Sequence, residues 1–428
     1  FRSENIDVEE LIRTYPHSIT NFHIDYLVYV IGLLTEIPLA NKDVEMDYIP
    51  INSKLIQRRV RNYREYLNYL INCEVILEDK QYIVGSKSKG FKFTEKFEVK
   101  RKLVIITKKT LIKSLNEFKD INYSSCDVGN YVSTSKSSKL INQKSELNHI
   151  TNWLNSKLTI DFPKAEEHLL KLKDIENSDP EIKNSNQRYI QRHAILLKFH
   201  KGIFSPNEDM TAGRLHSVIT QTMGVLRKFI RYDGKVLVSI DIVNSQPYLA
   251  TVLLNPKKFE ENLILENLLK INPKFKNPNY PIMLAKRIKE VSTTESTRLY
   301  KNIVTKGTFY EDFGKILQNC GVLETGLDQE MVRKSAKNAT FSAFFSPNTS
   351  ISYCEGARSF KEVFPSIFDV FKMIKCTRGK HNTLAILLQH LEANLVLHRA
   401  CKIISEERPD VPIFTLHDSI ITTEGNEK

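Results

Sequence analysis

No apolar run in this sequence approaches the roughly 18 residues that a membrane-spanning helix needs, so the chain is expected to be soluble, without a membrane partner. A secretory signal is missing too. The chain opens at Phe1 without a Met and shows no basic, apolar, small-residue leader, which implies numbering that begins inside a longer protein. Six cysteines (Cys73, Cys126, Cys320, Cys354, Cys376, Cys401) are scattered with no paired short spacing. That pattern argues against a zinc knuckle or disulfide framework and suits the reducing cytoplasm. No internal repeat is visible.

What is present is ordinary globular composition with a basic bias. At 428 residues, 41% hydrophobic and 26% charged, the chain is long enough for two or three domains, each with its own core. The net charge of +12 favours an anionic partner. Its distribution is local: residues 51–110 hold 15 Lys and Arg against 6 Asp and Glu, which is +9 of the +12.

The first 110 residues read as helices followed by a β-ribbon. An apolar helical pattern (Ile19, Phe22, Tyr26, Tyr29, Leu33) precedes a basic helix from Ser53 to about Asn72, with Ser53 as N-cap. The run from Val75 to Val84 predicts a hairpin turning at Asp79-Lys80, and Gly85 to Phe93 places cations around aromatics. That order suggests a winged helix in which Arg58, Arg59, Arg61 and Arg64 face DNA phosphates; the same residues also suit a solvated basic helix in a packing module. A Ser-rich stretch, Ser124 to Ser138, is the best linker. The expected domains are therefore 1–123 (basic, winged-helix-like), 124–144 (linker), 145–205 (helical, thumb-like) and 206–428. Trp153, Leu154, Leu158, Leu169, Leu170 and Leu172 are the expected core of the third.

Five segments in the last 220 residues carry the chemistry. Thr211-Ala-Gly-Arg-Leu215 offers Arg214, a planar cation suited to phosphate, beside a glycine that permits close backbone approach. Lys235-Val-Leu-Val-Ser-Ile-Asp241 reads as a buried strand ending in a carboxylate, followed by Asn244, Ser245, Gln246 and Pro247, which continue a strand poorly. Arg333, Lys337, Phe341 and Phe345 recur every four residues and share one helix face. Leu387 to Leu395 is helix-like and contains Gln389. Val411 to Thr422 reads as a strand, a His417-Asp418 turn and a second strand.

In that order the five segments resemble the motifs of family A DNA polymerases and the related phage-type single-subunit RNA polymerases, over about residues 200–428. The resemblance implies an α+β fold, a right-hand polymerase palm and fingers, behind the helical N-terminal domain. It implies Asp241 and Asp418 as catalytic carboxylates holding two Mg2+ ions, with Mn2+ as a substitute. Arg333 and Lys337 would grip the incoming nucleoside triphosphate, Phe341 would stack near it, Phe345 would sit by the templating base and Gln246 would lie beside the sugar. Arg214, Gln389 and His417 would contact the DNA primer-template. Asn394 stands where the family usually has Asp, five residues after the Gln. Such a protein would be nucleoid-associated.

The departures bear on the substrate. DNA-making members usually have Glu where Gln246 stands, and Ser419 after Asp418 is closer to the RNA-making branch. That branch relies on a Tyr hydroxyl at the place of Phe345, which has none. Gln246 still fills space beside C2′, so deoxynucleotides are the expectation, with an RNA polymerase or primase as the rival enzyme. Ser342 and Ser346 replace the family's glycines, and Pro347 stops the helix. No strand-borne Asp-x-Glu pair precedes residue 200, so synthesis without proofreading is expected. The family continues with more palm where this chain ends, ten residues past Asp418. The rival of another class is a non-catalytic DNA-binding replication initiator.

Overall fold

The computed structural model describes residues 1–40, 47–79, 88–117, 146–209, 211–260, 263–377 and 379–428. They form a mixed α and β protein, about 58% helical, whose sheets are antiparallel. None of the described helices is long and apolar enough to cross a membrane. Two compact units emerge. One gathers described residues of 1–143, 155–205 and 221–236, the other those of 144–154, 206–220 and 237–428.

In the first unit the long apolar helix Ile24–Ala40 is buried along most of its length and anchors a core with Tyr66, Leu67, Leu70 and Phe91. The expected single helix from Ser53 to Asn72 is two helices, Ser53–Arg59 and Tyr63–Asn72, because Val60 turns to extended backbone (φ −133°, ψ 98°). The N-cap is Asn52, not Ser53: its side-chain oxygen accepts from the N–H groups of Lys54 and Leu55 at 3.0 and 3.3 Å. A three-stranded sheet follows, in the order Ile49–Pro50, Gly90–Phe93, Ile76–Glu78. The strand at Ile76 pairs with Gly90–Phe93, with Ile76 opposite Phe93. The expected turn at Lys80 and the Ser124 to Ser138 linker lie outside the described residues.

The remainder of this unit packs helix Phe162–Ser178 against Ser185–His200, with Arg192 forking onto Glu176 at 3.0 and 2.9 Å. Leu158 and Leu169 are buried as expected, whereas Leu170 is 41% exposed. Strands Leu158–Ile160 and Ile230–Tyr232 pair, and Asp233-Gly234, both at positive φ (51° and 78°), turn the chain tightly into Lys235.

The second unit is built around an aromatic core in which Tyr300, Phe309, Phe313, Phe344, Phe360, Phe364 and Phe371 are essentially inaccessible. Its sheet has the order Phe414–Leu416, Ser419–Thr423, then residues 237–241 of the strand Lys235–Asp241. Helices Phe309–Asn319, Gln329–Phe345 and Glu355–Val363 lie side by side. Two glycines permit this close approach: a Cβ on Gly314 would collide with Val332, and one on Gly356 would come within 2.9 Å of the Ala339 Cα. Helix Thr383–Ala393 runs on through π-helical turns, Asn394–Ala400, into Cys401–Glu407.

Candidate active site

Every residue singled out in the five segments, Asp241, Asp418, Arg333, Lys337, Phe341, Phe345, Gln246, Arg214, Gln389 and His417, belongs to the second unit. Strand register brings the two aspartates to the same end of neighbouring strands. Leu237 pairs with Thr423, and the ladder continues residue by residue until Asp241 faces Ser419. One step further the Ile242 N–H donates to the Asp418 carbonyl at 3.3 Å. Directly opposed residues of an antiparallel pair have Cα atoms about 4.5–5.5 Å apart, so Asp418, adjoining the residue opposite Asp241, is its near neighbour.

The turn itself is strained. Leu416 pairs with Ser419, which leaves His417 and Asp418 as a two-residue hairpin loop, and His417 takes φ 56°. A side chain in that left-handed region costs about 1–3 kcal/mol, and such residues cluster at functional sites. His417 is exposed and Asp418 half-buried. Asp241 is exposed, with its carboxylate accepting from the Ser239 hydroxyl at 2.9 Å. The expected buried strand is in fact open: Val236 is 39% and Ile240 46% exposed. Past Asp241 the chain bends at Asn244 (φ 52°) into helix Ser245–Leu253. Asn244 Nδ2, Ser245 Oγ and Gln246 Oε1 are buried there without a hydrogen bond inside the protein, each an uncompensated cost of about 1–3 kcal/mol.

Among the described residues no group of three or more His, Cys, Asp or Glu side chains is arranged to enclose a metal ion. Magnesium does not require one, because it is commonly held by one or two carboxylates together with water and substrate phosphates. Asp241 and Asp418, near neighbours that pair with no cation among the described residues, fit that donor set.

The Gln329–Phe345 helix starts where Asp328 caps the Met331 N–H at 2.6 Å and stops where Ser346 goes extended ahead of Pro347. Its core face is Val332, Ala336, Ala339, Thr340, Ala343 and Phe344. The Arg333, Lys337, Phe341, Phe345 row is another face, exposed at the cations and half-buried at the rings. Along it the Lys337 ammonium lies 5.5 Å from the Phe341 ring, and Phe341 packs on Phe345 with centroids 5.3 Å apart. Arg333 sits 5.4 Å from the Tyr310 ring and donates to Glu311 at 2.8 Å. Burial pushes the Tyr310 phenol up to about 12, with the Asp418 charge adding to the rise and Arg333 opposing it. Tyr310 thus lies within electrostatic reach of both the hairpin aspartate and the cationic helix face.

Glu392 is the residue that sequence reasoning missed. It is 1% exposed, and two of the anticipated site residues converge on it. Arg214 donates to its Oε1 through Nε (2.9 Å) and Nη2, and Gln246 Nε2 donates to Oε2 at 2.8 Å. Burial raises the Glu392 carboxyl above its ordinary range; Arg214 opposes the shift and Asp418 adds to it. The one sequence signal was a Glu inside the apolar run Leu387 to Leu395. Gln389, one turn earlier, is half-buried.

Asp209 fixes the backbone ahead of Arg214. Its carboxylate accepts from the N–H groups of Thr211 (2.8 Å), Ala212 (2.6 Å) and Arg214 (3.1 Å), and Gly213 takes φ 69° to close the turn. Burial works against that carboxylate, but His216 and the three N–H groups outweigh it and hold it at about 2. Compared with family models, curated proteins and solved structures, the chain matches none.

Proposed function

We propose that this chain is a template-directed nucleotidyltransferase, a DNA polymerase that adds nucleotides to a primer 3′ end without proofreading. The observation that carries the reading is the register of Asp241 against Ser419, which makes neighbours of two aspartates 177 positions apart in the sequence. Asp241 and Asp418 would hold two Mg2+ ions, which supply Lewis-acid activation of the 3′ oxygen and neutralise charge on the phosphates. Arg333 and Lys337 bind the triphosphate. The Arg333 partner, Glu311, is surrendered easily, since both side chains are nearly half exposed (49% and 44%) and such pairs contribute only about 0–1 kcal/mol. Phe341 and Phe345 give a half-open aromatic surface for the nucleotide and the templating base. Arg214, already committed to Glu392, has Nη1 left for a backbone phosphate.

The N-terminal module is a winged helix on this reading. Helix Ile24–Ala40, strand Ile49–Pro50, helices Ser53–Arg59 and Tyr63–Asn72, then two strands with Gly90–Phe93 in the middle of the sheet, follow that order of elements. Arg59 bonds the Tyr29 hydroxyl and Arg64 forks onto Glu78, so the DNA-facing charge falls to exposed Lys54 and Arg61.

The test is primer extension with Mg2+. Asp241→Ala and Asp418→Ala should each lose on the order of a thousandfold or more, equivalent to about 4 kcal/mol of transition-state stabilisation. Equal activity in the variants, or none in wild type on any template with either nucleotide class, overturns the reading. Chain initiation from ribonucleotides without a primer identifies an RNA polymerase instead.

A further inference from the structure

We propose that Leu103 to Ile106 form a strand-addition site, onto which an extended segment of another protein, apolar at alternate positions and acidic at its ends, pairs as a β-strand. The run lies in the first unit and shares no residue with the candidate active site. Leu103-Val-Ile-Ile106 is rich in the β-branched residues that strands favour. Its side chains alternate accordingly: Val104 and Ile106 pack against the apolar core, while Ile105 between them is 85% exposed. Yet the backbone N–H and C=O groups of these four residues enter no hydrogen bond among the described residues. Both ends are fixed all the same. Upstream, Arg101 and Lys102 pair with Ser3 and Arg2, and downstream the Asp25 carboxylate accepts from the N–H groups of Thr107 and Lys108 at 2.8 and 2.6 Å. A run held in this way keeps its donors and acceptors ready, so an added strand costs little further ordering of this chain. Charge selects the occupant. Lys102 and Lys109 flank the run, both exposed and neither in an ion pair among the described residues. Two copies of this chain paired antiparallel about Ile105 would set Lys102 against Lys108, and like charges directly opposite oppose association. A strand with carboxylates at its ends meets those lysines favourably instead.

The probe is a labelled peptide of alternating valine and threonine with an aspartate at each end, titrated with the full chain by fluorescence anisotropy, and amide exchange in the complex is read by NMR. Binding should saturate and slow exchange at alternate residues only, either Leu103 and Ile105 or Val104 and Ile106, because an added strand lies along one edge. Ile105→Pro removes a donor that bonds nothing inside the protein and blocks pairing, so affinity should fall about tenfold or more. Ile105→Ser, which keeps the donor, should cost about threefold to tenfold through the lost apolar contact. Lys102→Glu/Lys109→Glu should weaken the aspartate-ended peptide and strengthen a lysine-ended one, about fivefold each way. If Ile105→Pro does not fold, the same peptide N-methylated at every amide replaces it and should fail to bind. No saturable binding, protection without the alternation, or an affinity that neither Ile105→Pro nor N-methylation lowers overturns the proposal. So does self-association of the free chain in sedimentation that Ile105→Pro abolishes, which makes a second copy the occupant.

Discussion

Arg214 and Arg333 carry the same charge with opposite commitments, and burial decides between them. Arg214 is 20% exposed and faces a Glu392 side chain that is 2% exposed. Removing one partner of a buried ion pair strands the other, at about 3–5 kcal/mol. Arg214→Ala should therefore lower the unfolding free energy by that amount in denaturant titration. The deficit should narrow toward acidic pH, where the stranded Glu392, already raised by burial, takes up a proton. Arg333→Ala should stay within about 1 kcal/mol of wild type, because its pair with Glu311 is solvent-screened, yet raise the nucleotide KM about tenfold or more in primer extension. Equal stability loss in the two variants would contradict this division. Both arginines stood out in the sequence as cations suited to phosphate. Their difference was not, since it depends on residue 392, 178 positions from Arg214, which no local pattern brings near.

At the scale of elements, the Gln329–Phe345 helix shows how far periodicity reaches. A four-residue spacing identified the Arg333 to Phe345 row, and the structure leaves Arg333, Lys337 and Phe341 off the core face while Phe345 packs partly against it. The sequence did not reveal what holds the helix in place. Gly314 and Gly356 let its neighbours approach closely, and Lys375, arriving from the end of helix Pro365–Ile374, donates to the carbonyls of Ala343 and Ser346 at 2.6 and 2.9 Å. A lysine there reads as an ordinary surface cation. In the structure it is 3% exposed, and burial pushes its ammonium down to about 8. Below that pH both the folded and the unfolded chain hold the proton. Between about 8 and the ordinary 10.5 the unfolded chain keeps a proton that the folded one sheds, so stability rises with pH across the window. The neutral amine still has N–H donors for both carbonyls. Relative to Lys375→Met, wild type should gain stability between pH 8 and 10.5, measured by denaturant unfolding at each pH; a flat difference would mean that Lys375 titrates normally. The same limit of local reading explains the helix break at Val60 and the strand pairing of Ile76 with Phe93, each settled by tertiary partners.

For the whole molecule, the chain's route between units matters more than any single boundary. It enters the second unit for residues 144–154, returns to the first for 155–205, visits the second for 206–220, goes back for 221–236 and ends in the second. Composition marks only exposed linkers, so a chain that weaves in this way is hard to divide by sequence alone. The short visit has a structural consequence. Leu147 and Ile150, 2% and 1% exposed, pack with Leu215, Ala393, Val396, Leu397 and Ile413, and His149 bonds the Leu397 carbonyl at 2.8 Å. That cluster supports the π-helical turns just beyond Glu392 and the approach to the His417-Asp418 hairpin, so the N-terminal segment bears on the candidate site. Truncating a buried Leu or Ile to Ala costs about 2–5 kcal/mol, and the two together approach the roughly 5–15 kcal/mol total stability of an ordinary domain. Leu147→Ala/Ile150→Ala in the full chain should accordingly lower stability by about 4–10 kcal/mol and speed amide exchange in Asn394–Ala400 and Phe414–Thr423, while exchange in the Ile24–Ala40 helix of the other unit stays slow. Uniform acceleration in both helices would show one cooperative unit, and no acceleration anywhere would show that Leu147 and Ile150 are dispensable to this core.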